Sequence, residues 1–323
     1  MTRTIVTVDL GGTHARFALA EVDGGRVVSL GEPMTLQTRD HASFQSAWRS
    51  FGKQAGGAIP RGVAIAIAAP IRGEVIRLTN NPWTIRPALI HEKLEVDDYT
   101  LINDFGAVAH AVAQAKPMNF VPLCGPKDDL PPVGRISIIG PGTGLGVAHV
   151  GRDAGGYRVQ ATEGGHIDFA PIDIIDDAIL ARIRKRHNRV SAERVVSGPA
   201  IVDIYETLAA MEGRAIPVSD DRTIWKAGLD GSDSLAVAAI DRFCMSLGSV
   251  AGDIALAQGG NAVVIAGGLG LRIEKMLRQS GFANRFRAKG RFESMMDEIP
   301  VKLITHSQPG LLGAAAAFAQ DHR

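Results

Sequence analysis

The sequence predicts an α/β protein built from two related halves, and three observations lead to that expectation. A strand, a glycine-rich turn and two further strands occur over residues 4–30 and again over 135–161. Each half also carries a later strand, Val63–Ile67 and Asn261–Ile265, and the first is a continuous apolar run of the kind that forms a buried parallel strand. The chain has 323 residues, 46% of them apolar, which is enough for about two domains, each with its own core.

The first half opens with the β-branched run Thr4–Asp9, which stops at Gly11-Gly12, followed by Ala15–Ala20 and Gly25–Leu30. These read as three antiparallel strands joined by tight turns. Phe44, Ala47, Trp48 and Phe51 recur at helical spacing within 41–54, and the strands Val63–Ile67 and Thr100–Asn103 follow. The second half restarts at Arg135–Ile139, runs into Gly140-Pro-Gly-Thr-Gly-Leu-Gly146, and continues with the strands Val147–Val150 and Tyr157–Ala161. Helices are expected near 172–186, 199–211 and 234–258, then a strand over Asn261–Ile265 ending at Gly267-Gly268. The expected division is 1–110 with about 310–323 returning to it, a larger half over about 135–309, and a Pro-rich connector over 111–134.

Charge narrows the function classes. Thirty-five Lys and Arg balance 34 Asp and Glu, and no long basic block occurs, so no nucleic-acid partner is expected. Cys124 and Cys244 form no CxxC or Cys/His group, which leaves neither a zinc site nor a disulfide framework. The N-terminal run contains Asp9 and no small-residue cleavage site, so it reads as a strand rather than a leader. The apolar stretch Ser234–Gln258 carries Asp241, Arg242 and Asp253, which are costly in lipid, so it reads as a buried helix. A cytoplasmic protein with no membrane partner is expected.

Three glycine-rich turns follow strands: Asp9-Leu-Gly-Gly-Thr13, Gly140–Gly146 and Ala266-Gly-Gly-Leu-Gly270. Glycine lets backbone N–H groups approach phosphate oxygens with no Cβ in the way, and Thr13 or Thr143 adds a hydroxyl. Any one of the three is equally a plain turn; three at strand ends are harder to explain so. There is no GxxxxGK[ST] loop, since Gly52-Lys53 precedes Gln54, and no GxGxxG opens a helix. Asn103-Asp104-Phe105 follows a strand, where the Asp104 carboxylate could accept a hydroxyl proton or cap a helix starting at Gly106; the residues alone leave both open. Glu163 and His166 bracket a Gly-Gly pair that can turn both toward one pocket, and Glu193 precedes Ser197-Gly-Pro199. These suit sugar hydroxyls, although Glu163 as a solvated charge, His166 as a local cap and Glu193 paired with Arg194 remain open. Trp48, Trp83 and Trp225 are scattered and read as packing residues.

The order of Asp9-Leu-Gly-Gly-Thr-His-Ala-Arg16, Ala68–Gly73, Thr79-Asn-Asn-Pro-Trp83, Ile102-Asn-Asp-Phe105, Gly142-Thr-Gly-Leu-Gly146, Glu163-Gly-Gly-His166, Ser191-Ala-Glu-Arg194 with Ser197-Gly-Pro199, and Pro309-Gly-Leu-Leu-Gly313 resembles the bacterial glucokinase family, zinc-independent members of the hexokinase and actin-like ATPase superfamily. The resemblance implies a duplicated actin-like ATPase (ribonuclease H-like) fold, with two domains and a central cleft. It further implies ATP-dependent phosphorylation of glucose to glucose 6-phosphate, the entry step of glycolysis, in a homodimer that uses ATP and Mg2+. In this resemblance Asp104 is the catalytic base, and Asn103, Asp104, Glu163, His166 and Glu193 hold the sugar. Asp9, Leu10, Gly11, Gly12, Thr13, Gly142, Thr143, Gly144, Gly267 and Gly268 line the nucleotide, with Asp9 holding magnesium through water. His14 departs from the family pattern, which often has Asn there. Rival readings are a kinase for another hexose or with polyphosphate as donor, and a non-catalytic actin-like ATP-binding switch.

Overall fold

The computed structural model describes the chain except for Ala58, Thr79 and Asn80, so the start of the Thr79–Trp83 segment lies outside the described residues. The fold is mixed α/β. The chain divides into two compact units, one of residues 1–116, 159–161 and 306–323, the other of 117–158 and 162–305.

In the first unit, β1 (Arg3–Leu10), β2 (His14–Asp23), β3 (Arg26–Leu30), β4 (Met34–Gln37), β5 (Gly62–Ile67) and β6 (Asp98–Asn103) form one sheet in the order β3-β2-β1-β5-β6, with β4 also on β2. β1 runs antiparallel to β2 and parallel to β5, which runs parallel to β6. All six residues of β5 are buried because the sheet is covered on both faces. Val63, Ile65 and Ile67 join one core cluster with Phe44, Trp48 and Phe51 of α1 (Phe44–Gln54). Ala64 and Ala66 point the other way, toward Ala314, Ala315 and Phe318 of the C-terminal helix Pro309–Asp321. Small residues on that face let the helix settle close to the strands, and the Thr7 hydroxyl donates to the Leu311 carbonyl at 2.7 Å. The C-terminal helix also packs on α2 (Asp104–Gln114), where a Cβ on Gly313 would overlap the Ala107 carbonyl.

A second sheet is formed by β7 (Phe120–Cys124), β8 (Gly134–Pro141), β9 (Leu145–Asp153), β10 (Gly156–Thr162), β11 (Ala262–Ile265) and β12 (Val301–Ile304) in the order β10-β9-β8-β11-β12-β7. β8 runs antiparallel to β9 and parallel to β11, and β11 runs parallel to β12. Part of the segment read as a connector is therefore sheet: β7 pairs antiparallel with β12 at the sheet edge, where Pro122 is tolerated. The second unit also carries helices α3 (Ile174–Arg184), α4 (Ile201–Met211), α5 (Asp221–Asp230), α6 (Ser234–Gln258), α7 (Gly267–Arg272) and α8 (Phe282–Arg287), with short helices at Glu274–Gln279 and Glu293–Asp297.

Among the described residues α6 is the one helix long and apolar enough to cross a membrane, but 78% of its apolar window is buried. Phe243, Leu247, Val250 and Ile254 are core residues. Glycines set its spacing to α8, because a Cβ on Gly252 would stand 2.6 Å from the Phe286 carbonyl oxygen. A buried charge cluster ties the same helices together. Arg242 of α6 lies 2.8 Å from Asp173, the N-cap of α3, and 3.3 Å from Asp176, and Arg285 of α8 pairs with both carboxylates. Two positive and two negative charges compensate one another there, and removal of one member would leave a buried charge uncompensated.

Gly313→Ala gives a test by sign. Alanine in an open helical position stabilises by up to about 1 kcal/mol, whereas a Cβ driven into the Ala107 carbonyl should destabilise by about 3 kcal/mol, as overpacking against backbone does. Denaturant unfolding of the variant is expected to show the loss, and a gain would contradict the close approach of the two helices.

Candidate active site

The residues singled out by sequence fall into two groups, one in each unit. In the first, Asp9 stands one residue before the end of β1 and is paired in register with Arg16 across the β1–β2 hairpin. Arg16 Nη1 lies 3.3 Å from Asp9 Oδ2. On its other side the carboxylate meets the start of the C-terminal helix, where a Cβ on Gly310 would stand 2.8 Å from Asp9 Cγ. The N-terminal end of a helix carries partial positive charge and favours a carboxylate. Burial pushes the Asp9 pKa up, and Arg16 pulls against it. The Gly11 N–H donates to the His14 carbonyl at 3.0 Å and closes the hairpin, while Thr13 at its tip is exposed. The Gly12 carbonyl accepts from Thr38 Oγ1 and Asn81 Nδ2, both at 2.8 Å. Leu10 sends its side chain into the core.

Asn103 and Asp104 occupy the junction of β6 and α2. Helix α2 begins at Asp104, not Gly106, and its cap is Asn103. Asn103 Oδ1 accepts the Phe105 and Gly106 N–H groups at 3.0 and 3.2 Å, and Nδ2 donates to the Ala69 carbonyl at 3.3 Å. The capping reading for Asp104 is thereby replaced: Asn103 takes the two capping N–H groups, and the Asp104 carboxylate accepts the adjacent Phe105 N–H at 2.8 Å. Burial raises the Asp104 pKa to about 6 against that hydrogen bond, and the negative charge of Asp9 adds to the rise.

In the second unit the turn Gly142–Gly144 joins β8 to β9 and is closed by the Gly142 N–H on the Gly144 carbonyl at 2.8 Å. Thr143 is exposed at its tip. Glu193 Oε2 accepts the Leu145 N–H at 2.9 Å and fills the space where a Cβ on Gly144 would lie. The open pairing of Glu193 with Arg194 is not found; Arg194 Nη1 bonds instead to His187 Nε2 at 2.8 Å. Glu163 and His166 flank a single 3₁₀ turn, Gly164–His166, that brings Oε2 and Nε2 to 3.9 Å, with the two side chains 79% and 56% exposed. Gly165 is required there, since a Cβ would overlap the Leu145 carbonyl. Gly267 has φ of +90°, a left-handed conformation suited to glycine, and lies against the Pro141 carbonyl at the end of β8, while Gly268 faces open space.

A pocket of about 280 Å³ opens beside Thr143, lined also by His187, Glu193, Arg194, Ser197 and Asp203. Trp48, Trp83 and Trp225 are each at most 4% exposed, in keeping with packing roles. Sequence reasoning gave no role to Arg16, Gly310 or the Arg194–His187 pair. The first could have been found by counting residues across the Gly11-Gly12 hairpin; the other two depend on tertiary approach.

A sequence model of the family described as Glucokinase matches residues 6–321. The chain belongs to the glucokinase family. It is 59% identical over 318 residues to a glucokinase of Zymomonas mobilis, with 98% of each chain covered. It is 39% identical over 320 residues to a glucokinase of Paramagnetospirillum magneticum, covering 98% of this chain and 97% of that one. Among solved structures, a glucokinase from an Antarctic psychrotroph is similar with a TM-score of 0.87 at 33% identity, with 98% of each chain covered. The glucokinase family thus spans both groups of residues described above.

The raised pKa of Asp104 carries a stability consequence. A carboxyl at about 6 in the folded chain and 3.8 in the reference binds its proton more tightly when folded, so protonation supports the fold below about 3.8 and that support is lost as pH rises through 6. Asp104→Asn removes the penalty. At neutral pH the variant should unfold at a denaturant midpoint no lower than the parent's, with the difference closing in acid; a lower midpoint at neutral pH would contradict the burial of this carboxylate.

Proposed function

We propose that the chain transfers the γ-phosphoryl group of ATP to the 6-hydroxyl of glucose, giving glucose 6-phosphate and ADP, within a duplicated actin-like ATPase fold. The observation that carries the reading is Asp104, a half-buried carboxyl with a pKa near 6, left free of the capping role by Asn103. Membership of the glucokinase family supports the reaction. The duplication is supported by the sheets, each of which has a strand antiparallel to the next across a glycine turn and then two parallel neighbours.

In the mechanism Asp104 accepts the proton of the 6-hydroxyl as the bond from O6 to the γ-phosphorus forms and the bond to the β-γ bridging oxygen breaks, with ADP as leaving group. A base with pKa near 6 is ionised at neutral pH yet still basic enough to accept that proton. The Asn103 amide, held by its bond to the Ala69 carbonyl, is the proposed donor to the sugar beside Asp104. Glu163, His166 and Glu193 supply acceptors for further sugar hydroxyls, Glu193 in a direction set by its bond from the Leu145 N–H and the other two from the turn Gly164–His166. Leu10 through its backbone, Gly11, Gly12, Thr13, Gly142, Thr143, Gly144, Gly267 and Gly268 are the proposed nucleotide contacts.

Among the described residues no group of three or more His, Cys, Asp or Glu could hold a metal ion, which suits magnesium held by one carboxylate and the donor's phosphates. Asp9 fits it, because burial leaves that carboxylate short of positive charge despite Arg16. When bound, magnesium would neutralise phosphate charge. The burial of α6 supports a cytoplasmic protein rather than a membrane one, and a homodimer and a place at the entry to glycolysis follow from the family resemblance.

Steady-state kinetics with ATP and a panel of hexoses should give glucose a kcat/KM at least about tenfold above fructose, since wrong sugars leave hydroxyl-reading groups unpaired; equal or better use of fructose would move the substrate elsewhere. Asp104→Asn should lower kcat by about a hundred- to ten-thousandfold, the range for loss of a general base, with glucose binding little changed. A folded variant with near-normal turnover would remove the base from the mechanism.

A further inference from the structure

The pocket beside Thr143 contains a group to which the mechanism above gives no role. Arg194 lines it and, among the described residues, has no carboxylate within ion-pair distance; its bond is to His187 Nε2, at 2.8 Å. A guanidinium has no acceptor, so the imidazole must accept through an unprotonated Nε2 and leaves the arginine's charge uncancelled. Of the acids that line the pocket, Asp203 is paired with Arg186 and, at 3.4 Å, with Arg182, while Glu193 is turned by the Leu145 N–H at 2.9 Å and is the acceptor assigned above to the sugar. Ser197, which also lines the pocket, makes no capping bond to the 3₁₀ turn it precedes, and Thr143 stands exposed beside it.

The wall that carries these groups is fixed to the glycine turn. The Gly198 N–H donates to the Gly142 carbonyl at 2.7 Å, and Trp225 Nε1 holds the Gly198 carbonyl at 2.9 Å from the other side. With the Leu145–Glu193 bond, the segment 193–198 is therefore tied to both ends of the turn. Thr143, Arg194 and Ser197 thus place two hydroxyls and a guanidinium in one pocket beside the glycine turn, donors of the kind that phosphate oxygens accept from.

We propose that Arg194 and Ser197, together with Thr143, form a phosphate-binding wall for the phosphoryl donor, with His187 as the positioning residue of Arg194. This rests on the functional reading that the donor's phosphates lie at the Gly142–Gly144 turn. Its consequence is donor affinity: Arg194 holds the donor's phosphate chain and leaves the sugar untouched.

The test uses inorganic tripolyphosphate and Mg·ATP as probes, with calorimetry on the whole protein and separate KM values for ATP and glucose. Arg194→Gln should weaken tripolyphosphate binding and raise the ATP KM by about ten- to hundredfold, the cost of a charge-assisted contact to phosphate. Glucose KM should be unchanged, Arg194→Lys should recover part of the loss, and Ser197→Ala should show a smaller loss of the same kind. Arg184→Gln, an exposed change outside the pocket, should alter neither. Parental tripolyphosphate affinity in Arg194→Gln and Ser197→Ala, or a rise in glucose KM alone, would overturn the proposal. Arg194-dependent tripolyphosphate binding in a parent that phosphorylates no hexose would support the site and overturn the glucokinase reading instead.

Discussion

The Asn103 side chain is the contact on which the candidate chemistry depends. Its Oδ1 accepts two N–H groups of the first turn of α2, and its Nδ2 reaches the Ala69 carbonyl that follows β5. A helix entering directly from a strand leaves its first N–H groups unpartnered. Had Asp104 been their acceptor, two or more backbone dipoles would stabilise its charge and drive its pKa down. With the cap one residue earlier, Asp104 takes the Phe105 N–H without the Gly106 N–H, and burial outweighs its hydrogen bonds to hold the pKa at about 6, with Asp9 adding to the rise. One local choice of cap therefore separates a carboxylate tied into the helix start from one left as the candidate base.

Close backbone approach is the second constraint. Gly144 makes room for the Glu193 carboxylate, Gly165 for the Leu145 carbonyl, and Gly310 for the carboxylate of Asp9. At each position the missing Cβ brings a functional group against a strand end or helix start, so the glycines position side chains as well as turn the chain. The buried Asp173, Asp176, Arg242 and Arg285 cluster does comparable work among the helices of the second unit, although its role lies in holding α3, α6 and α8 together.

Much of this was legible in the sequence where one physical requirement dominates. β5 reads as a parallel strand because both faces need apolar cover, and all six residues are buried. α6 reads correctly to its ends because Asp233 caps one and Gly259, at φ of +64°, stops the other. Glu163 and His166 are three apart, the repeat of a 3₁₀ turn, so their proximity was implicit in the spacing. What was not legible depends on tertiary context. β7 contains Pro122 and looks like linker until β12 supplies an edge to pair with; β12 hides Lys302, whose Nζ reaches out to the Lys127 carbonyl at 3.4 Å. α5 is half polar and packs chiefly through Ile224, Trp225 and Gly228. Whether Asn103 or Asp104 caps α2 could not be read either, because both residue types cap well.

Asp104 holds its pKa above the ordinary carboxylate range because it is buried while Asn103 caps the helix. Carbon-13 NMR of the aspartate side-chain carboxyls measures this directly, with Asp104→Asn assigning the signal. The account predicts one aspartate titrating near 6 that disappears in the variant and moves to lower pH in Asp9→Asn, where the neighbouring negative charge is gone. An Asp104 signal that titrates at or below the ordinary aspartate value of 3.8 would contradict it.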